Sequence, residues 1–223
     1  MSIREFIGNT FVAFIDISGF KELMKDGENA WNALDIFYQA GYDSIRNNNG
    51  RVEGLLVSDC GILFARNNDN NILQMLESLL NVVKIINNKM LESDYMLTTS
   101  IAYGEFKYQE RIEFPGIGKH PIYGNAYVQA FLDNASGLPK IEPGFCRILR
   151  KNLPQEIIVG SPQLNNSPFN MLSERKGDKN CIYFYWNLNA PRDIEKFESE
   201  YKNSYSLKFS GMLKALKHPL NAV

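Results

Sequence analysis

The chain has 223 residues, 44% hydrophobic and 22% charged, the balance of a globular protein rather than a disordered one. A net charge of −1 excludes a nonspecific nucleic-acid coat, so a polyphosphate ligand would need a local basic site. Three scattered cysteines (Cys60, Cys146, Cys181) and two histidines offer neither a disulfide framework nor a zinc site. Met1 to Glu5 shows no signal peptide and no run is apolar enough to span a bilayer. A reducing cytoplasm is the expected setting, with neither membrane nor nucleic acid as a partner.

The run Phe11-Val12-Ala13-Phe14-Ile15 reads as a strand buried on both faces. It meets Asp16, breaks at Ser18-Gly19 and opens a helix at Phe20-Lys21-Glu22-Leu23-Met24. A carboxylate where a buried strand emerges, beside free N–H groups at a helix start, suits a metal-bound polyphosphate. Glu28 to Asn47 carries Ala30, Leu34, Phe37, Tyr38 and Ile45 at helical spacing and stops at Asn47-Asn48-Asn49-Gly50. Arg51 to Leu56 and Gly61 to Ala65 predict a hairpin with Asp59 at its tip. If the hairpin neighbours the first strand, Asp16 and Asp59 meet at one sheet edge and hold two divalent ions between them.

Asn67 to Asn71 is a loop and a source of helix N-caps. Ile72 to Ile86 is a second amphipathic helix, and Met96 to Tyr103 a strand that Gly104 interrupts. Residues 107 to 122, with Lys119 and His120, read as an exposed flap. Asn125 to Asn134 is a third helix, ending near Gly137-Leu138-Pro139, and Phe145 to Leu149 a further strand. Phe169 to Arg175 and Cys181 to Trp186 predict a late hairpin about Lys176 to Asn180, with Tyr183, Tyr185 and Trp186 packed in the core. This order suits an α+β fold: a mostly antiparallel sheet with helices on one face, over residues 1–190. Residues 191–223, with Ile194, Phe197 and Tyr201 and then Leu207, Phe209, Met212, Leu213 and Leu216, read as a helical C-terminal extension of that domain.

Phe14-Ile15-Asp16-Ile17-Ser18-Gly19-Phe20 and Val57-Ser58-Asp59 resemble the two metal-aspartate motifs of the class III nucleotide cyclases. Ser100-Ile101-Ala102-Tyr103-Gly104, Tyr123-Gly124-Asn125-Ala126 and Lys176-Gly177 resemble further motifs of that family, so the likeness spans about residues 9 to 186. The resemblance implies the family's palm-like fold and a nucleoside triphosphate substrate. It implies two Mg²⁺ or Mn²⁺ ions on Asp16 and Asp59, with the Ile17 carbonyl as an additional ligand. The amides of Ser18, Gly19 and Phe20, with Lys176, would hold the triphosphate. It also implies a homodimer with both sites at the interface. The expected chemistry is in-line attack of the ribose 3′-oxygen, without a protein nucleophile.

The sequence departs from the family at two places. Leu55 stands where purine cyclases carry a lysine or glutamate that reads the base, and Val128 and Leu132 stand where an asparagine and an arginine serve ribose and transition state. A one-residue slip would offer Gln129 and Asp133 instead, but it rotates the helix by about 100°. Both departures resemble the short pyrimidine cyclases of bacterial antiphage (Pycsar) defence, which make cyclic UMP or cyclic CMP for a separate effector protein. Arg51 is then the candidate base-reader, its donors suiting the carbonyls of uracil, with Thr98 or Ser100 completing the pocket. The alternatives are a catalytically impaired binding or dimerisation module and a palm-type nucleotidyl polymerase. Cys60 reads as a small buried residue.

Overall fold

The first strand, β1 (Phe6–Ile17), lies inside the sheet between two neighbours, and its side chains alternate between two separate cores. A computed structural model describes residues 3–66, 71–109, 111–114, 117–119, 121–205 and 209–219. After β1 come α1 (Phe20–Leu23), α2 (Gly27–Arg46), β2 (Val52–Val57), β3 (Cys60–Ala65), α3 (Ile72–Glu92) and β4 (Leu97–Tyr108). There follow β5 (Arg111–Phe114), β6 (Ile117–Lys119), β7 (Ile122–Tyr123), α4 (Asn125–Ser136) and β8 (Cys146–Leu149). The chain continues with β9 (Leu172–Arg175), β10 (Asp178–Phe184), α5 (Ile194–Tyr205) and α6 (Phe209–Lys217). The strands lie in the order β2-β3-β1-β4-β8-β10-β9, with β7 paired to β4. Every pairing is antiparallel except β4 with β8.

Phe11, Ala13, Ile15 and Ile17 join the large core with Phe37 of α2 and Leu76 and Leu79 of α3. Val12 and Phe14 face the other way, toward Ala126 and Ala130 of α4. Burial on both faces is why the strand reads as an unbroken apolar run. The expectation of helices on one face is corrected accordingly: α2 and α3 cover one face, and α4 lies on the other. Asp26 caps α2, accepting from the Glu28 and Asn29 amides, and Asn71 caps α3 through the Gln74 amide. Asn71 is thus one of the expected caps, while Asn67 to Asn70 lie outside the described residues.

Two other expectations change. Gly104 does not end its strand, because β4 runs through it at φ +154° to Tyr108. A Cβ there would meet the Asn125 side chain at 2.2 Å, so glycine lets the start of α4 approach β4. The expected flap is in part a ladder of its own, β5 with β6, and in part β7 on β4. Tyr185 and Trp186 are 2% exposed and packed, as their sequence suggested. At the C-terminus, α5 and α6 close over the same core. Phe197 and Tyr201 are buried, Tyr201 meets the Phe145 ring edge-on at 4.6 Å, and its hydroxyl donates to the Pro143 carbonyl at 2.7 Å.

The hairpin of β2 and β3 depends on Gly54, where a Cβ would lie 2.5 Å from the Ile62 carbonyl oxygen and 3.0 Å from Leu63 Cα. Those are backbone atoms of the paired strand and cannot rotate away. Gly54→Ala is expected to lower stability by about 1–3 kcal/mol, read as a lower urea midpoint at unchanged m-value.

Candidate active site

The local chemistry starts with a turn of two residues. Val57 pairs with Cys60, leaving Ser58 and Asp59 at the tip, with Ser58 at φ +55°. Left-handed backbone is costly for a residue with a Cβ, and the tight reversal of the hairpin requires it here. Cys60 lies directly opposite Asp16 on β1, and the Ile17 N–H donates to the Asp59 carbonyl at 3.0 Å, extending the contact past the last rung. Two carboxylates 43 positions apart are thereby brought to one point: a ligand atom from each of Asp16, Asp59 and Cys60 lies within 4.8 Å of the others.

Asp16 is half-buried. Burial raises its carboxyl above the ordinary value, the hydrogen bond from Cys60 lowers it, and the Asp59 carboxylate raises it again. Cys60 Sγ donates to Asp16 Oδ1 at 3.3 Å and makes a longer contact of 3.9 Å to Asp59 Oδ1. Burial first, and then the two carboxylates, push the Cys60 thiol up to about 12, so at neutral pH it is a protonated donor. Among the described residues no lysine or arginine pairs with Asp16 or Asp59. A half-buried pair of hard oxygen donors without a counter-cation among the described residues has the composition of a divalent-cation site.

A cavity of about 580 Å³ opens from this point. It is lined by Asp16, Ser18 and Gly19, by Phe131 and Asn134 of α4, and by Lys140 and Met212. Gly19 is left-handed at φ +75° and starts α1, whose Phe20 is buried. The Gly19 and Phe20 amides make no hydrogen bond among the described residues. The Ser18 amide is different: it donates to the Met96 carbonyl at 2.9 Å, so the expected phosphate contact from it is corrected. The buried Ser18 hydroxyl has no partner among the described residues.

Thr98 lines the cavity, its hydroxyl donating to Asn134 Oδ1 at 3.2 Å, while Ser100 donates to Asp133 at 2.6 Å. Leu55 is half-buried across from Ile62, on the sheet face that carries Asp16 and α4. Arg51 is not at the site. It is exposed and precedes β2, at the other end of the hairpin from Asp59, a strand length of about 20 Å away. Lys176 is also elsewhere. Phe184 and Leu172 mark the Asp16 end of the sheet through Cys146 and Thr99, so the β9–β10 turn carrying Lys176 is at the opposite end. It is also three to four strands across, about 14–19 Å by strand spacing alone. Neither cation reaches Asp16 within one chain, and His120 lies outside the described residues.

Sequence reasoning found Asp16, Ser18, Gly19 and Thr98 but missed Phe131, Lys140 and Met212, and the buried arginine behind them. Arg147 is 1% exposed, makes two bonds of 2.8 Å to the Asp133 carboxylate and donates to the Pro139 carbonyl at 2.7 Å. Asp133 is therefore spoken for, which removes it as the slipped stand-in. An arginine inside the apolar run Phe145 to Leu149 was the available signal, since such a side chain is buried only with a partner. Val128 and Leu132, at 46% and 51% exposure, form an apolar pair on the outer face of α4, while the Phe131 ring lines the cavity and meets Phe14 edge-on at 5.2 Å.

No protein-family model and no curated protein sequence matches the chain. Solved structures do. The guanylyl cyclase Cya2 superposes with a TM-score of 0.54 at 13% identity, over 82% of this chain and 93% of that one. The adenylyl cyclase CyaB from P. aeruginosa gives 0.53 at 14%, over 81% and 94%. The guanylate cyclase domain of RhGC from Catenaria anguillulae, in complex with GTP, gives 0.53 at 12%, over 81% and 96%. The chain therefore has the fold of a class III cyclase catalytic domain.

Because the Asp16 carboxylate is desolvated beside Asp59, Asp16→Asn is expected to stabilise the metal-free protein at pH 7 by about 0.5–2 kcal/mol. The sign follows from the raised folded-state value: ionising Asp16 costs more in the folded chain, so wild-type stability falls as pH rises through that range. Thermal melts with and without Mn²⁺ check it. Mn²⁺ should raise the wild-type Tm and leave that of the variant unchanged.

Proposed function

We propose that the chain is a metal-dependent nucleotide cyclase, converting a nucleoside triphosphate to its 3′,5′-cyclic monophosphate and pyrophosphate. The observation that carries this is the convergence of Asp16 and Asp59 at the mouth of a cavity on a cyclase fold. The two carboxylates, with the Ile17 carbonyl, would hold two Mg²⁺ or Mn²⁺ ions. When bound, the ions supply acidification of the ribose 3′-hydroxyl and neutralisation of the phosphates. The protein's own part is placement. The Cys60 thiol orients the Asp16 carboxylate, the Ile17–Asp59 bond fixes the hairpin tip, and the Gly19 and Phe20 amides face the phosphates. The 3′-oxygen forms its bond to the α-phosphorus as the bridging oxygen of pyrophosphate leaves, and the hydroxyl proton passes to solvent.

A pyrimidine base is the proposed substrate, on the strength of Leu55, which offers neither cation nor carboxylate to a purine edge. The preference for UTP over CTP rested on Arg51 and has no support once that side chain is at the far end of the hairpin. The exposed pair of Val128 and Leu132 supports a homodimer, since an unpaired apolar helix face is buried by association. Lys176 and Arg51 enter a site in this reading only from the partner. A second messenger of antiphage defence, read by a separate effector, is the proposed product role, supported by the likeness to the Pycsar cyclases.

One observation favours a second reading, an impaired nucleotide-binding or dimerisation module. Val128 and Leu132 put hydrocarbon where the cyclase pattern has its transition-state amide and guanidinium. Incubation with Mn²⁺ and each of the four ribonucleoside triphosphates, followed by mass spectrometry, separates the two. A cyclic pyrimidine monophosphate is expected, lost by a hundredfold or more in Asp59→Ala because metal stabilisation is worth several kcal/mol. The active sample should sediment at twice the chain mass. Nucleotide binding without any product would establish the second reading.

A further inference from the structure

We infer that Lys140 is the cation that meets the nucleotide's terminal phosphates, supplied by the same chain as the two aspartates; the inference rests on the nucleotide reading above. A triphosphate brings several negative charges to a point already holding two carboxylates, so a nearby fixed cation is needed even with metal bound. Of the acidic and basic side chains lining the cavity, Asp16 faces the metal site and Glu142 is held by Arg175 at 3.1 Å. Lys140 is exposed and makes no ion pair among the described residues.

The backbone around Lys140 is fixed while its side chain is not. On one side the Pro139 carbonyl accepts from the buried Arg147, itself clamped by Asp133, and on the other Ile141 is 5% exposed in the core. The Gly137 amide donates to the Asp133 carbonyl at 3.0 Å, binding the start of the loop to α4. Buried Arg147 thus seats the loop without entering the cavity, and Lys140 is delivered to the wall of the same cavity that Asp16 and Gly19 line. A lysine with a rigid base and a free ammonium suits a phosphate, which needs a point charge more than a planar fork. Lys176 and Arg51, the cations the sequence offered, are both remote in the same chain.

The test is calorimetric titration of the full chain with inorganic tripolyphosphate in the presence of Mn²⁺. Lys140→Ala should bind about ten- to a hundredfold more weakly than wild type, the loss of one charge-assisted bond. Lys140→Arg should recover most of that, and Lys151→Ala, which removes the same charge from an exposed turn after β8 that does not line the cavity, should bind like wild type. Wild-type binding with undiminished binding in Lys140→Ala overturns the assignment of Lys140 alone. Failure of wild type to bind tripolyphosphate with Mn²⁺ overturns the nucleotide reading beneath it.

Discussion

The hydrogen bond from the Ile17 N–H to the Asp59 carbonyl is the constraint on which the site depends. The β1–β3 ladder places Cys60 opposite Asp16, but a ladder alone would leave the residue beyond its last rung free to fray. The extra bond holds the hairpin tip to the strand end and brings the second carboxylate beside the first. That proximity is unfavourable by itself, since like charges at a half-buried point repel. The sheet enforces it with a buried strand on each side of β1, a left-handed Ser58 and a glycine at 54 that lets the two hairpin strands close. A site held together against its own electrostatics is poised for a divalent cation.

The second structural fact is the division of labour on α4. Its inner positions, Ala126, Ala130 and Asn134, recur every four residues and bury against β1 and β4, with Asn134 accepting from Thr98. Small residues there let the helix lie close to the sheet. The outer positions, Val128 and Leu132, stay apolar and exposed, while Phe131 lines the cavity. Helix α4 therefore serves as one wall of the cavity while presenting apolar residues outward. The loop that follows turns back over Arg147, so a buried ion pair, costly to isolate and well satisfied here, fixes the geometry of the next wall.

Much of this was legible in the sequence, for identifiable reasons. The run from Phe11 to Ile15 announced a strand buried on both faces, and the hairpin about Asp59 and the three long helices followed from periodicity. Those signals are local. What failed was non-local. Arg51 looked close to Asp59 because six strand residues are few in sequence, yet they extend the chain by about 20 Å. Lys176 carried a familiar neighbour, Gly177, but the order β1-β4-β8-β10-β9 carries it across the sheet and to its other end. The Ser18 amide was expected to be free, and the Met96 carbonyl, some eighty residues on, had already taken it. Lys140 and Met212 had no motif to mark them, because a cavity wall is defined by what comes to face it.

The central claim is that Asp16 and Asp59 share divalent cations beside a polyphosphate. Anomalous scattering from crystals grown with Mn²⁺ and a 3′-deoxynucleoside triphosphate, which cannot cyclise, tests it most directly. The account predicts manganese within about 2.0–2.6 Å of a carboxylate oxygen from each aspartate, the range for hard cations on oxygen, with the phosphates in the cavity beside Gly19. Manganese bound elsewhere, with both carboxylates left without an ion, would contradict it.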